Sequence, residues 1–474
     1  MPTARTQLDL KKIPFGRSRS GVLIFEEDNG DGASFTPGLY FAMLIQGGAP
    51  RRQGLVDLVP ISDGQPIPYT YEATPSKLTM TTEKGTITVV IDTPRTFRIR
   101  GEGVGLRLYT KIPFMSMQTA TLLPGGLADL NLMSTNNDGG RFFFKPLKGR
   151  LELESRFDVK INGPEDARIE FFPGEDGVFE IAAYSPMNPD EWGYIEHKPV
   201  DQAAEEALAD FEAFAALYPE AGEEWKELGG TCAYTLWLHV QGPDDRAILP
   251  KMKGELIYSD YTQAGWANLF EQPLHAMAMR DAGAAFRLLR DSYRHMSRGM
   301  LPSTVSHNKI FYQTTPPIYG LAVLDLLNKA GGKLPADDAQ ALYAAMKENF
   351  AWWEEKHSFA AGRFSYNFPD ELSLPGVSYS AFEFPLETPD LYTYLILYAK
   401  ALKKLSAILG NGQAEDWQAK EQAMTKQLLS LWNGSAFCCR AVVSGRLFES
   451  RSLLAYLPVL LGRNLPDDIL DALL

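Results

Sequence analysis

The feature that most constrains this chain is a change of periodicity near residue 200. Before it, short apolar runs alternate with Gly, Pro and Asp. Gly21–Glu27, Gly38–Leu44, Thr96–Arg100, Val104–Lys111, Arg141–Lys145, Leu151–Ile161, Arg168–Phe172 and Val178–Tyr184 read as strands. Leu78–Thr82 and Thr86–Ile91 flank Glu83-Lys84-Gly85, a hairpin signature. Many short strands at regular spacing predict an antiparallel β-sandwich. After Pro199 the pattern becomes helical. Asp201–Leu217 places Ala204, Leu208, Phe211 and Phe214 on one stripe.

Further helices are predicted over Glu223–Val240, Trp266–Asp281, Ala282–Arg298, Pro316–Ala330, Asp337–His357, Asp390–Leu409, Ala414–Trp432, Ser450–Leu461 and Asp467–Leu474. Gly410 and Gly462 mark two of the ends. Paired helices suggest an α/α toroid or solenoid. The expected organisation is a β-sandwich domain over 1–195, a connecting helical linker over 196–228 and an α/α toroid over 229–474. About ten helices and an uncapped apolar end at Ile469–Leu474 predict an open or truncated ring.

Composition then removes function classes. Lys and Arg number 46 against 59 Asp and Glu, a formal charge of −13. Nucleic acid and anionic membrane both demand a basic face, and no basic run is present. No apolar stretch approaches the length of a spanning helix. The first 21 residues lack the apolar core of a signal peptide. Cys232, Cys438 and Cys439 make no disulfide framework, which suits a reducing compartment. A cytoplasmic location is the expectation.

Most catalytic signatures are missing. There is no phosphate-binding glycine loop, and Gly101–Gly105 sits among strands, where turns explain it. The six histidines show no H-E-x-x-H or clustered ligand spacing, so no metal site is expected. No serine lies in a G-x-S-x-G elbow. Carboxylates remain, and a catalytic acid among them needs a semi-apolar setting that raises its pKa. Two aromatic-rich stretches offer one. Tyr258–Pro317 contains Asp260, Trp266, His307, Asn308, Tyr312 and Gln313; Phe364–Tyr394 surrounds Asp370, Glu371, Glu383 and Glu387 with rings.

Within these stretches, Gly299–Val323 (G-M-L-P…Q-T-T-P-P-I-Y-G-L-A-V) resembles the G-x-I-P…Q-P-P block of the glycoside hydrolases related to processing α-glucosidase I (family 63), trehalase and mannosylglycerate hydrolase. Tyr379-Ser380-Ala381-Phe382-Glu383, followed by Pro389-Asp390-Leu391, is similar to the acid block of that group. Leu431-Trp432-Asn433 and Ser452–Pro458 resemble a later block. The likeness runs from about Ala233 to the end. Glu stands where the group has Asp, and Thr315 stands where it has the Q-P-P glutamine.

The resemblance implies an (α/α)6 toroid behind a β-sandwich, and an inverting hydrolase of α-glucosidic or similar α-linked sugars. Glu383 is implied as the general acid, shielded by Phe382 and Phe384, with Glu387 and Asp390 as alternatives. Asp390 also reads as a helix cap, and Asp370 or Glu371 as a second carboxylate. Trp266, Asp260, His307, Asn308, Tyr312, Gln313 and Tyr379 would line the mouth around a small carbohydrate. Inversion takes one acid and one base carboxylate about 6.5–9.5 Å apart, and no metal or organic cofactor. The group's base lies beyond the last block matched here. Two other readings stay open: a carbohydrate-binding toroid that has lost the chemistry, and a toroid lyase or epimerase using Tyr312, His307 or Tyr379.

Overall fold

The computed structural model describes residues 7–20, 22–27, 37–43, 56–93, 95–111, 119–132, 141–158, 163–184, 197–243, 252–259, 266–306, 310–372, 382–450 and 452–474. Fifteen strands come first: β1 (Val22–Glu27), β2 (Gly38–Met43), β3 (Val56–Ser62), β4 (Gln65–Pro66), β5 (Thr70–Ala73), β6 (Leu78–Thr81), β7 (Thr86–Ile91), β8 (Thr96–Glu102), β9 (Gly105–Lys111), β10 (Thr119–Leu123), β11 (Leu127–Asn131), β12 (Arg141–Lys148), β13 (Arg150–Asp158), β14 (Gly163–Phe172) and β15 (Val178–Tyr184). They form two antiparallel sheets among the described residues. One runs β1-β2-β3-β9-β14-β13, with β4 beside β3; the other runs β10-β11-β12-β15-β8-β7-β6-β5.

The inner faces follow the alternation of the strands. Leu39 and Phe41, Val56 and Leu58, Leu106 and Leu108, and Ala167, Ile169 and Phe171 point inward from the first sheet. They meet Phe97, Phe142, Phe144, Phe179 and Ile181 from the second. Phe41 and Phe97 lie 4.9 Å apart, and Phe144 and Phe171 6.3 Å apart, across the two layers. Such pairs add about 0.5–1.5 kcal/mol each beyond burial alone. The predicted hairpin forms as read: Thr81 pairs with Thr86, and the Thr82 N–H donates to Gly85 O at 2.9 Å.

The helices are α1 (Val200–Ala215), α2 (Lys226–His239), α3 (Gln272–Ala278), α4 (Ala282–Tyr293), α5 (Tyr319–Lys329), α6 (Ala336–Lys356), α7 (Pro389–Leu409), α8 (Ala414–Leu429) and α9 (Asp467–Leu473). Antiparallel sheets followed by a helical region is therefore the fold class of the described residues. Two compact units result. The first is Met1–Pro250 with Ile257–Trp266 and Ser306–Asn308; the second is Lys251–Leu256, Ala267–Val305 and Lys309–Leu474.

The first unit keeps α1 and α2, so the stretch read as a linker over 196–228 belongs with the sandwich. Phe211, Tyr234 and Trp237 join the sandwich core. Arg98, on β8, bonds both Glu180 and the Lys198 carbonyl, and the Lys198 N–H donates to Asp92 Oδ2 at 3.0 Å. These bonds fix where α1 starts. Its buried face is Val200, Ala203, Ala207, Phe211 and Ala215, while Ala204, Leu208 and Phe214 flank it. The stripe is thus one residue from the expected one.

In the second unit α7 packs against α5, α6 and α8, the pairing the helical periodicity suggested. Gly320 lets α5 approach closely, since a Cβ there would stand 2.3 Å from the Tyr398 Cα. Two departures have local causes. Trp266–Asp281 is not one helix: Ala267–Asn268 pairs as a strand with Thr304–Val305, and the Asn268 side chain accepts from the Phe270 N–H at 3.0 Å. The helix starts only at Gln272, with Pro273 in its first turn. Leu453–Asn464 winds as a 3-10 segment, because Pro458 and Gly462 interrupt it. Gly410 ends α7 in the left-handed region, φ 63°, as expected.

Candidate active site

The segment before α7 carries the acids. Thr388, not Asp390, caps the helix; its Oγ1 accepts from the Leu391 N–H at 3.4 Å. Asp390 is instead a buried carboxyl in the first turn, 1% exposed, and Tyr366 donates to its Oδ2 at 3.1 Å. Burial raises its pKa to about 6, against the opposing pull of hydrogen bonds from Thr388 and Tyr366.

Glu387 has the opposite setting. Leu386–Glu387 pairs with Cys438–Ala441 so that Glu387 faces Arg440. Arg440 Nε reaches Glu387 Oε2 at 2.5 Å, Arg363 Nη2 reaches the same oxygen at 2.6 Å, and the Tyr392 hydroxyl donates to Oε1 at 2.6 Å. Burial pushes this carboxyl up, but the bonds from Arg440, Arg363 and Tyr392 hold it below the usual range. It is an ionised structural anchor rather than a proton donor. Arg363 is committed to this carboxylate. The sequence carries little sign of this clamp, since Cys438–Ala441 is too short a strand to fix a register.

Glu383 is exposed. Its Oε2 accepts from the Ser444 hydroxyl at 2.9 Å. Phe382 stacks on Phe448, ring centroids 4.7 Å apart, so the shielding expected from Phe382 is directed to Phe448. Neither Ser444 nor Phe448 stood out in the sequence.

Gln313 and Asp370 come together: Gln313 Nε2 donates to Asp370 Oδ2 at 3.3 Å. Beside them Tyr312 and Phe368 are 61% and 64% exposed. Glu371 turns away from this face; it is buried, 3.0 Å from His357 Nε2, and accepts the Asn367 N–H at 2.6 Å. Trp266 is half-buried in the first compact unit, its carbonyl accepting from the Ser259 N–H at 3.0 Å. Asp260, His307, Asn308 and Tyr379 lie outside the described residues. Among the described residues no group of three or more His, Cys, Asp or Glu side chains is arranged to hold a metal ion. No helix among them is long and apolar enough to cross a membrane.

Residues 375–474 match the mannosylglycerate hydrolase MGH1-like glycoside hydrolase domain. That segment holds Glu383, Glu387 and Asp390, and the resemblance to the toroid glycoside hydrolases is borne out there. No curated protein matches the chain in sequence.

Among solved structures, a GH92 family α-mannosidase from Bacteroides thetaiotaomicron in complex with mannoimidazole is similar over 93% of this chain and 64% of its own, with 13% identity and a TM-score of 0.51. A GH92 family inverting mannosidase from Bacteroides thetaiotaomicron gives 93% and 65%, 10% identity and a TM-score of 0.52. The GH63 mannosylglycerate hydrolase of Thermus thermophilus in complex with glucose matches over 44% of this chain and 67% of its own, with 14% identity and a TM-score of 0.37. The chain thus spans just under two thirds of the two GH92 structures. Those two likenesses concern the fold alone, and the domain match over residues 375–474 supports the glycosidase class.

Proposed function

We propose that this protein is a glycoside hydrolase that cleaves a small α-linked sugar with inversion, using Glu383 as general acid. The observation that carries this reading is the match of residues 375–474 to a glycoside hydrolase domain, a segment that contains Glu383. The GH92 likenesses bear names of an α-mannosidase and an inverting mannosidase. These names support, as the proposed substrate class, α-linked hexosides of gluco or manno configuration. In this mechanism Glu383 protonates the leaving oxygen while a second carboxylate activates water on the opposite face. Asp370 is our candidate for that base, being exposed in a face that also presents Tyr312, Gln313 and Phe368. Three free cysteines are in keeping with the cytoplasm as the place of action.

A second reading is a carbohydrate-binding protein without the chemistry. The exposure of Glu383 favours it, because a solvated carboxyl lacks the apolar surroundings that poise an acid. One experiment separates the two. The protein is incubated with α-linked gluco- and manno-disaccharides and the released sugar is followed by NMR, which also reports its anomer. Release of the β-anomer, abolished in Glu383→Gln, supports hydrolysis with inversion. Binding without release supports the second reading, and release of the α-anomer overturns inversion.

A further inference from the structure

The outer face of the first sheet carries a side-chain array that the proposed hydrolase site does not use. Register places Tyr40 opposite Asp57, Asp57 opposite Tyr109, Tyr109 opposite Arg168, and Arg168 opposite Glu154. Since Leu39, Phe41, Leu58, Leu108 and Ile169 point into the core, these five residues share the other face. They form one row across β2, β3, β9, β14 and β13. Strands about 4.8 Å apart make such a row about 19 Å long.

The row is not flat. Tyr40 and Asp57 are 1% and 4% exposed, Tyr109 is half-buried, and Arg168 and Glu154 stand open to solvent. The result is a cavity of about 730 Å³, deep at β2 and β3 and open towards β13. That volume lies within the usual range for small-molecule sites.

Its arginines are tied down. Arg156 Nε lies 3.1 Å from Asp166 Oδ1, Tyr109 donates to Asp166 Oδ2 at 3.4 Å, and Arg168 lies 3.4 Å from Glu154. Arg107, also on this face, bonds Glu170 at 2.6 Å and the Gly64 carbonyl at 2.7 Å. Each arginine is matched by a carboxylate and Asp57 adds a further buried acid, so the face has no excess positive charge to select an anion. The pairs do present fixed donors and acceptors side by side, next to tyrosine rings. That combination suits an uncharged ligand with many hydroxyls and apolar C–H faces.

We propose that this cavity is a binding site for a neutral oligosaccharide, with Tyr109 as its stacking platform and Arg168 and Glu154 as hydroxyl partners. The proposal stands on the sandwich alone and does not rest on the hydrolase reading. The test is calorimetric titration of the whole protein with maltotriose, mannotriose and cellotriose, beside trigalacturonate as a charged probe. At least one neutral trisaccharide is expected to bind. Tyr109→Ala should weaken it about tenfold, Tyr109→Phe should largely keep it, and Arg168→Ala, at an exposed position, should weaken it without changing the unfolding midpoint. The proposal is overturned if no neutral sugar binds, if only trigalacturonate does, or if binding survives Tyr109→Ala and Arg168→Ala.

Discussion

Tyr366 donates its hydroxyl hydrogen to Asp390 across 3.1 Å, and both side chains are shut away from solvent. A carboxyl in that position is costly to ionise. With its pKa lifted from 3.8 to about 6 by burial, the folded state holds the Asp390 proton more tightly than the unfolded chain does.

The sign of the pH effect follows. The contribution of Asp390 to stability is fully present below pH 3.8 and is lost as pH rises through about 6. Its size is about 3 kcal/mol. Asp390→Asn keeps an acceptor for Tyr366 and has no proton to lose. Urea unfolding between pH 4 and 7 should show this fall in the parent and not in the variant. The variant should be at least as stable as the parent at neutral pH.

Glu387 should behave in the reverse sense. Its carboxyl, held low by Arg440 and Arg363, adds stability that is present above the ordinary Glu range and lost on acidification. Glu387→Gln leaves two arginines facing a neutral amide. The expected cost is about 3 kcal/mol, the lower end for a broken buried pair, because both arginines keep some solvent. Chemical denaturation at neutral pH measures it, and an unchanged midpoint would refute the clamp.

Gly320→Ala tests the closest helix approach. The new methyl would meet the Tyr398 backbone at 2.3–2.4 Å, so α5 must move off α7. A loss of about 2–3 kcal/mol is expected, although alanine favours the helix by about 1 kcal/mol. A thermal melt showing stabilisation would contradict the packing.

Glu383→Gln should lower kcat for α-linked disaccharides by about 10²–10⁴-fold, the usual worth of a general acid. The amide oxygen can still accept from Ser444, so the unfolding midpoint should hold. A full rate in the variant would remove Glu383 from the mechanism.

Tyr312→Ala and Phe368→Ala remove rings that are mostly exposed. Stability should change by less than about 0.5 kcal/mol, while KM for the same disaccharides rises severalfold. Unchanged KM in both would show that this face does not hold the sugar.

The sequence by itself determined the class of the fold. Two-residue alternation up to Tyr184 and helical spacing from Val200 are local properties, and each segment buries its apolar side whatever its neighbours. Turn chemistry was legible for the same reason at Glu83-Lys84-Gly85 and Gly410. The likeness to glycoside hydrolases was legible in the short block around Glu383.

Tertiary structure decided what the carboxylates do. Glu387 and Asp390 are three residues apart in one segment, yet one is clamped by Arg440 and Arg363 and the other is sealed beside Tyr366. No local signal separates them, because the groups that set their charge come from elsewhere in the chain. The same holds for the row from Tyr40 to Glu154: its members alternate with core residues on five strands, and only the register of those strands brings them onto one surface.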